Sequence, residues 1–129
     1  MRSNFTKHVL LTFTLIILSS LTSCNNEDDE TVSNANYYVK YIISGNGTYG
    51  RFSNWSATTP QGNYTNNGIQ VRSWNQSYGP VNRGFRCNVQ IGDYISGAPL
   101  IEIHVSKNQE PFALKASRTG NSVSYTIDF

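Results

Sequence analysis

The chain is poor in the residues that do redox, metal or acid–base chemistry. It has two cysteines, two histidines and one methionine in 129 residues. Two cysteines allow one disulfide at most, too few for a cysteine-stapled scaffold. Long hydrophobic runs are also missing. Val9–Leu18, "VLLTFTLIIL", is the longest, and it is broken by Thr12 and Thr14. It is too short for a hydrocarbon core of about 30 Å, which needs ~20 apolar residues. No stretch carries an apolar stripe at helical spacing. Carboxylates are few, and four of the eight form one run, Glu27-Asp28-Asp29-Glu30. The others, Asp93, Glu102, Glu110 and Asp128, are dispersed, so no short segment brings two together for general acid–base work. The bases are scattered as well: Lys40, Arg51, Arg72, Arg83, Arg86, Lys107, Lys115 and Arg118. No basic cluster interleaved with aromatics points to nucleic acid.

The N-terminus is organised like an export signal. Arg2 and Lys7 precede the apolar run, and small residues follow it. Leu21-Thr22-Ser23 leads directly into Cys24. This resembles a bacterial lipobox, which implies a signal peptide over 1–23 and a lipidated Cys24 as the mature N-terminus. A lipidated Cys24 cannot pair with Cys87, so the mature domain is expected to have no disulfide and to be held by its core. The acidic run then forms part of a polar, self-repelling tether over residues 24–35. An acidic patch just behind the lipidated cysteine is similar to the surface-export signal of Bacteroidetes-type lipoproteins. The resemblance implies an outer-membrane lipid anchor facing the cell surface, with the periplasmic face as the alternative. Without the signal and the tether acids, eight bases and four acids remain, a net charge of about +4 that serves solubility.

Residues 36–129 make one small domain, rich in Tyr, Asn, Ser, Thr and Gly. That composition favours strands and tight turns over helices. Alternation is the dominant pattern. Tyr37, Val39, Tyr41 and Ile43 share a face, as do Phe85, Cys87, Val89 and Ile91. The same holds for Ile101, Ile103 and Val105, for Phe112, Leu114 and Ala116, and for Val123, Tyr125, Ile127 and Phe129. Period 2 marks half-buried strands. Two more strands are expected around Tyr49–Ala57 and Ile69–Trp74. Between them lie Gly45-Asn46-Gly47, Gly62-Asn63, Asn67-Gly68, Gly79-Pro80, Gly97-Ala98-Pro99, Lys107-Asn108 and Gly120-Asn121, all turn chemistry. About seven short strands, each with one apolar face, predict an all-β antiparallel β-sandwich. It is immunoglobulin-like in architecture but without the disulfide. The last three strands are expected to form a meander.

"YYVKYIISG" at 37–45, "YGPVNRGFRCNVQI" at 78–91, "EPFALKAS" at 110–117 and "SYTIDF" at 124–129 resemble small Bacteroidetes-type lipoproteins of unknown function. More distantly, "SWNQSYGPVNRGFRCNVQI" followed by an Ile-rich strand looks like the soluble β-sandwich of mycobacterial MmpS-type transport-accessory proteins. Both resemblances imply a β-sandwich, and neither brings a catalytic residue, a cofactor or a metal.

Candidate sites reduce to the aromatics. His104, on the polar face of its strand, reads as a surface residue without partners for a metal, which needs three or four ligands. Cys87 reads as inward, so the two form no dyad. Trp55, Trp74, Tyr49, Tyr64 and Tyr78 gather in the polar stretch 48–80. If Ile69 and Val71 share a face, Trp74 falls beside Arg72 and Gln70 on the other, as an exposed platform. A bulge would instead turn it into the core. The first alternative makes Trp74, Arg72, Trp55, Tyr49, Tyr64 and Tyr78 one candidate binding surface, since Trp, Tyr and Arg concentrate interface energy and stack on sugars. The expectation is a binding or accessory module with a protein partner. A glycan ligand or a purely structural surface role are the alternatives, and enzymatic activity is not expected.

Overall fold

The computed structural model describes residues 34–129. The expected signal peptide and tether, with Cys24 and the acidic run, lie outside the described residues. The described domain is all-β, with eight strands: β1 (Tyr37–Ser44), β2 (Arg51–Thr59), β3 (Gly62–Asn66), β4 (Ser73–Val81), β5 (Arg86–Ile95), β6 (Leu100–Lys107), β7 (Ala113–Thr119) and β8 (Ser122–Thr126). They form two antiparallel four-stranded sheets, ordered β4-β1-β6-β7 and β3-β2-β5-β8. The core lies between them. Val39, Tyr41, Ile43, Ile101 and Ile103 from the first sheet meet Trp55, Val89 and Cys87 from the second, with Ile127 beyond β8, all at 1% exposure or less. The sandwich is as expected; the strand count is eight, not seven.

Four local expectations are corrected. Two strands are expected in the region 48–76, but it holds β2, β3 and the start of β4. Gly79-Pro80, read as a turn, lies inside β4, where the register with β1 slips between Tyr37 and Val39. The last three strands are not a meander either. β6 pairs with β7 in one sheet, but β8 crosses over to pair with β5 in the other. Gly120 stands at that crossover, at a φ of 158°. Finally, a register shift between Ile103 and His104 turns Leu114 to the outer face, where it opposes His104. Leu114 and Phe112 are therefore exposed, at 52% and 41%.

The strands run between two ends. Asn36 enters at one, clamped by Asn108: its N–H donates to Asn108 Oδ1 at 3.0 Å, and its carbonyl accepts from the Asn108 N–H at 2.8 Å. The β2–β3, β4–β5 and β6–β7 turns share this entry end. The β1–β2, β3–β4, β5–β6 and β7–β8 connections share the far end. Ser44, for example, is level with both Ser73 and Leu100.

Candidate functional site

The six residues of the expected surface fall into three places. Trp55 is core. It is 1% exposed, with its ring 5.0 Å from Phe52 in an edge-to-face arrangement. The cause is local. Asn54 adopts φ 56°, a left-handed conformation that Asn tolerates better than most residues. That twist breaks the alternation of β2, so that Phe52, Ser53 and Trp55 are all buried. Gly92 opposite leaves room for it, because a Cβ there would lie 3.0 Å from the Asn54 carbonyl oxygen. The Asn54 side chain is used on both sides. Its Oδ1 accepts the Gly68 N–H at 2.8 Å, and its Nδ2 donates to Asp93 Oδ2.

Trp74, Tyr64 and Tyr78 occupy a second place, the side of the sandwich where edge strands β3 and β4 face each other without pairing. Trp74 is level with Ile43 and Tyr78 with Val39. Tyr64 is level with Ala57 and Asn66 with Trp55. These partners point inward, so the aromatics line the mouth between the sheets. Tyr64 and Trp74 stack nearly parallel, 5.3 Å apart at 12°. Trp74 continues to Trp55 at 5.9 Å, and Tyr78 to the buried Tyr41 at 6.0 Å. Burial pushes the Tyr78 phenol above its ordinary pKa, and the nearby Tyr64 adds to the rise. Trp55 Nε1 and Asn66 Oδ1 are buried without a hydrogen-bond partner among the described residues. At the entry end of this side, an open depression of about 290 Å³ is lined by Pro60, Pro80, Val81, Asn82 and Phe85.

The expected placement of Trp74 beside Arg72 on an outer face is thus corrected. It assumed one strand from Ile69 to Trp74. Instead, Val71 bridges Phe52 in the second sheet, with N···O distances of 3.0 and 2.9 Å, and Ser73 opens β4 in the first. The chain changes sheets between them, which resets the face of every later residue.

Arg72 and Tyr49 sit in the third place, the far end. The Gly45–Gly50 loop folds tightly there. Gly45 N–H donates to the Arg72 carbonyl at 2.7 Å, and Arg72 Nη2 reaches Thr48 O at 3.4 Å. A Cβ on Gly45 would lie 2.2 Å from Gly50 O, so only glycine permits this approach. Tyr49 projects from the loop at 72% exposure. The register places Ile95 opposite Arg51, Tyr94 opposite Phe52, and Leu100 opposite Ser44. These three, with Ile69, are 36–61% exposed. None of them belongs to the expected surface, although parity carries a signal for two of them. Leu100 alternates with the inward Ile101 and Ile103, and Tyr94 is out of phase with Cys87, Val89 and Ile91. Ile69 was wrongly placed inward.

The remaining candidates, Cys87 and His104, do not come together. Cys87 is fully buried, and burial pushes its thiol up to about 11, against a smaller lowering effect of the Tyr41 hydrogen bond. Tyr41, which donates to Thr58 O at 2.8 Å, is itself raised, chiefly by burial. His104 lies on the outer face of β6, with Nε2 3.6 Å from Glu102 Oε1, so an acid is nearer than its spacing suggested. The two make only a pair: among the described residues no three His, Cys, Asp or Glu gather as metal ligands. No family model, curated protein or solved structure matches the chain.

Proposed function

We propose that this domain is a protein-binding accessory module, held at the bacterial outer membrane by a lipidated Cys24 and engaging its partner through the far end of the sandwich. One observation carries this reading. Of the seven large hydrophobic residues exposed in the described domain, five (Tyr49, Ile69, Tyr94, Ile95 and Leu100) stand on or beside the far-end loops. Apolar surface gathered in one place costs solubility and marks interaction sites, whereas single exposed residues do not. Arg51 and Arg72 supply the polar rim, and Tyr and Arg are the side chains most used as interface anchors. Loops held on a rigid sandwich are a usual location for recognition. The chain enters at the opposite end, so a tether to the membrane leaves these loops free.

The glycan alternative needs open ring faces. Trp55 is buried, and Trp74 and Tyr64 turn their faces to each other, which leaves little flat area for a sugar. The experiment is co-purification from native membranes with the anchor intact, comparing the natural chain with Tyr49→Ser combined with Ile95→Ser. The expected result is a protein retained by the first and lost by the second, with unchanged circular dichroism. Identical retention by both would remove the far end from consideration.

A further inference from the structure

A β-sandwich of two open sheets has four edges, here β4 and β7 in one sheet and β3 and β8 in the other. Exposed edges recruit other strands, so natural proteins shorten them, charge them or interrupt them. Three of the four edges are guarded. β3 and β8 have only five residues each. β7 carries Lys115 and Arg118 and lies beside the register shift at Ile103/His104. β4 is guarded only at its last residues, where Pro80 and the register slip against β1 lie; it has nine residues, and Ser73–Gly79 contains no charged residue and no proline. From Ser73 to Tyr78 it pairs with β1 without interruption, so its free edge is regular over that length.

The sequence of this edge is self-complementary. Antiparallel pairing with an identical strand about Gln76 sets Trp74 opposite Tyr78 twice, Asn75 opposite Ser77 twice, and Gln76 opposite its own copy. The inward row, Trp74, Gln76 and Tyr78, follows from the partners Ile43, Tyr41 and Val39 on β1. The outward row is Asn75 and Ser77. Aromatic rings thus meet rings, amides meet amides or hydroxyls, and no like charges face each other, which are the pairings that stabilise an antiparallel ladder. Asn75, Gln76 and Ser77 are all exposed, so none of the described residues covers the centre of the strand.

We infer that β4 is an isologous interface. Two copies of this chain join edge to edge through a two-fold axis at Gln76, making one continuous eight-stranded sheet. The contact is closed by symmetry, so it ends at the dimer. It leaves the far-end loops of both copies open and does not depend on what they bind.

The test uses the full chain purified in detergent. Sedimentation equilibrium should give a dimer. Gln76→Lys places two ammonium groups on the axis and should raise the dimer dissociation constant by about tenfold or more. Circular dichroism should stay unchanged, because Gln76 is exposed. Independently, Gln76→Cys in intact membranes should yield a disulfide-linked dimer under mild oxidation. The parent chain, with Cys24 and Cys87, and Arg118→Cys on β7 should not. A monomer at all concentrations, a dimer indifferent to Gln76→Lys, or capture of a different protein by Gln76→Cys would each overturn the inference.

Discussion

Trp55 and Trp74 differ by one step in depth, and alanine substitutions should separate them. Trp55 is 1% exposed and packs edge-to-face on Phe52. Its removal leaves a large cavity, and Trp55→Ala should cost about 4–5 kcal/mol, the upper part of the range for buried Trp. Trp74 is only partly buried, so about half of that burial term is at stake, roughly 2 kcal/mol. It also stacks on Tyr64 and touches Trp55, and losing these contacts adds about 1 kcal/mol. Trp74→Ala should therefore cost about 3 kcal/mol. A small domain of this size carries about 5–15 kcal/mol in total, so the variant should stay folded, with a melting temperature lowered by ~10–20 °C. The assay is urea unfolding followed by far-ultraviolet circular dichroism, since fluorescence would change with the tryptophan itself. A loss under about 0.5 kcal/mol would mean that the Tyr64–Trp74 stack does not pack, and the account of the mouth would be wrong. A loss equal to that of Trp55→Ala would make the mouth ordinary closed core.

Other perturbations test the neighbouring elements. Asn54→Ala should cost about 2–3 kcal/mol, from left-handed strain plus the lost bonds to Gly68 and Asp93. Asn54→Gly should cost less, because it restores the backbone freedom; denaturant midpoints order the three proteins. Gly50→Ala places a Cβ 2.3 Å from the Asn46 carbonyl oxygen, so the β1–β2 loop must rearrange. The expected sign is broadened or shifted amide resonances confined to the far end. For Cys87, the folded thiol is pushed up to about 11 from an ordinary value of 9.0. Stability should be full below pH 9 and fall as pH rises toward 11, because the unfolded chain releases the proton first. Cys87→Ala should show a flatter pH dependence over that window. A bulky thiol reagent should label Cys87 only as fast as the domain opens.

The sandwich was legible in the sequence because its driving force is local. Tyr37–Ile43, Cys87–Ile91 and Ile101–Val105 alternate cleanly, and each buries the face that alternation assigns. What failed was every inference carried across a discontinuity. Parity cannot be propagated from Val71 to Trp74, because the chain leaves one sheet and enters the other between them. It cannot be propagated from Ala116 to Leu114, because the register slips against β6. It cannot be propagated from Trp55 back to Phe52, because Asn54 takes a left-handed conformation within β2. The candidate surface rests on residue type and on a parity carried from Val71 to Trp74, so it joins one core residue, three residues of the lateral mouth and two of the far end. The second half, 81–129, carries none of the expected surface, yet it supplies Tyr94, Ile95 and Leu100 to the exposed apolar end. Apolar residues at the ends of strand-forming segments resemble core in sequence, and only the strand ends reveal that the core stops before them.

The most direct measurement is site-specific photo-crosslinking of the full chain in its native membrane. A photoreactive residue is placed in turn at Tyr49, Ile95, Glu102 and Ser117. The first two stand at the far end, and the others lie on the outer face of the first sheet, level with each other across β6 and β7. The account predicts one protein adduct of the same mass from positions 49 and 95, and none from 102 and 117. Adducts from 102 or 117 with none from 49 and 95 would contradict it, and so would a far end that captures no protein at all.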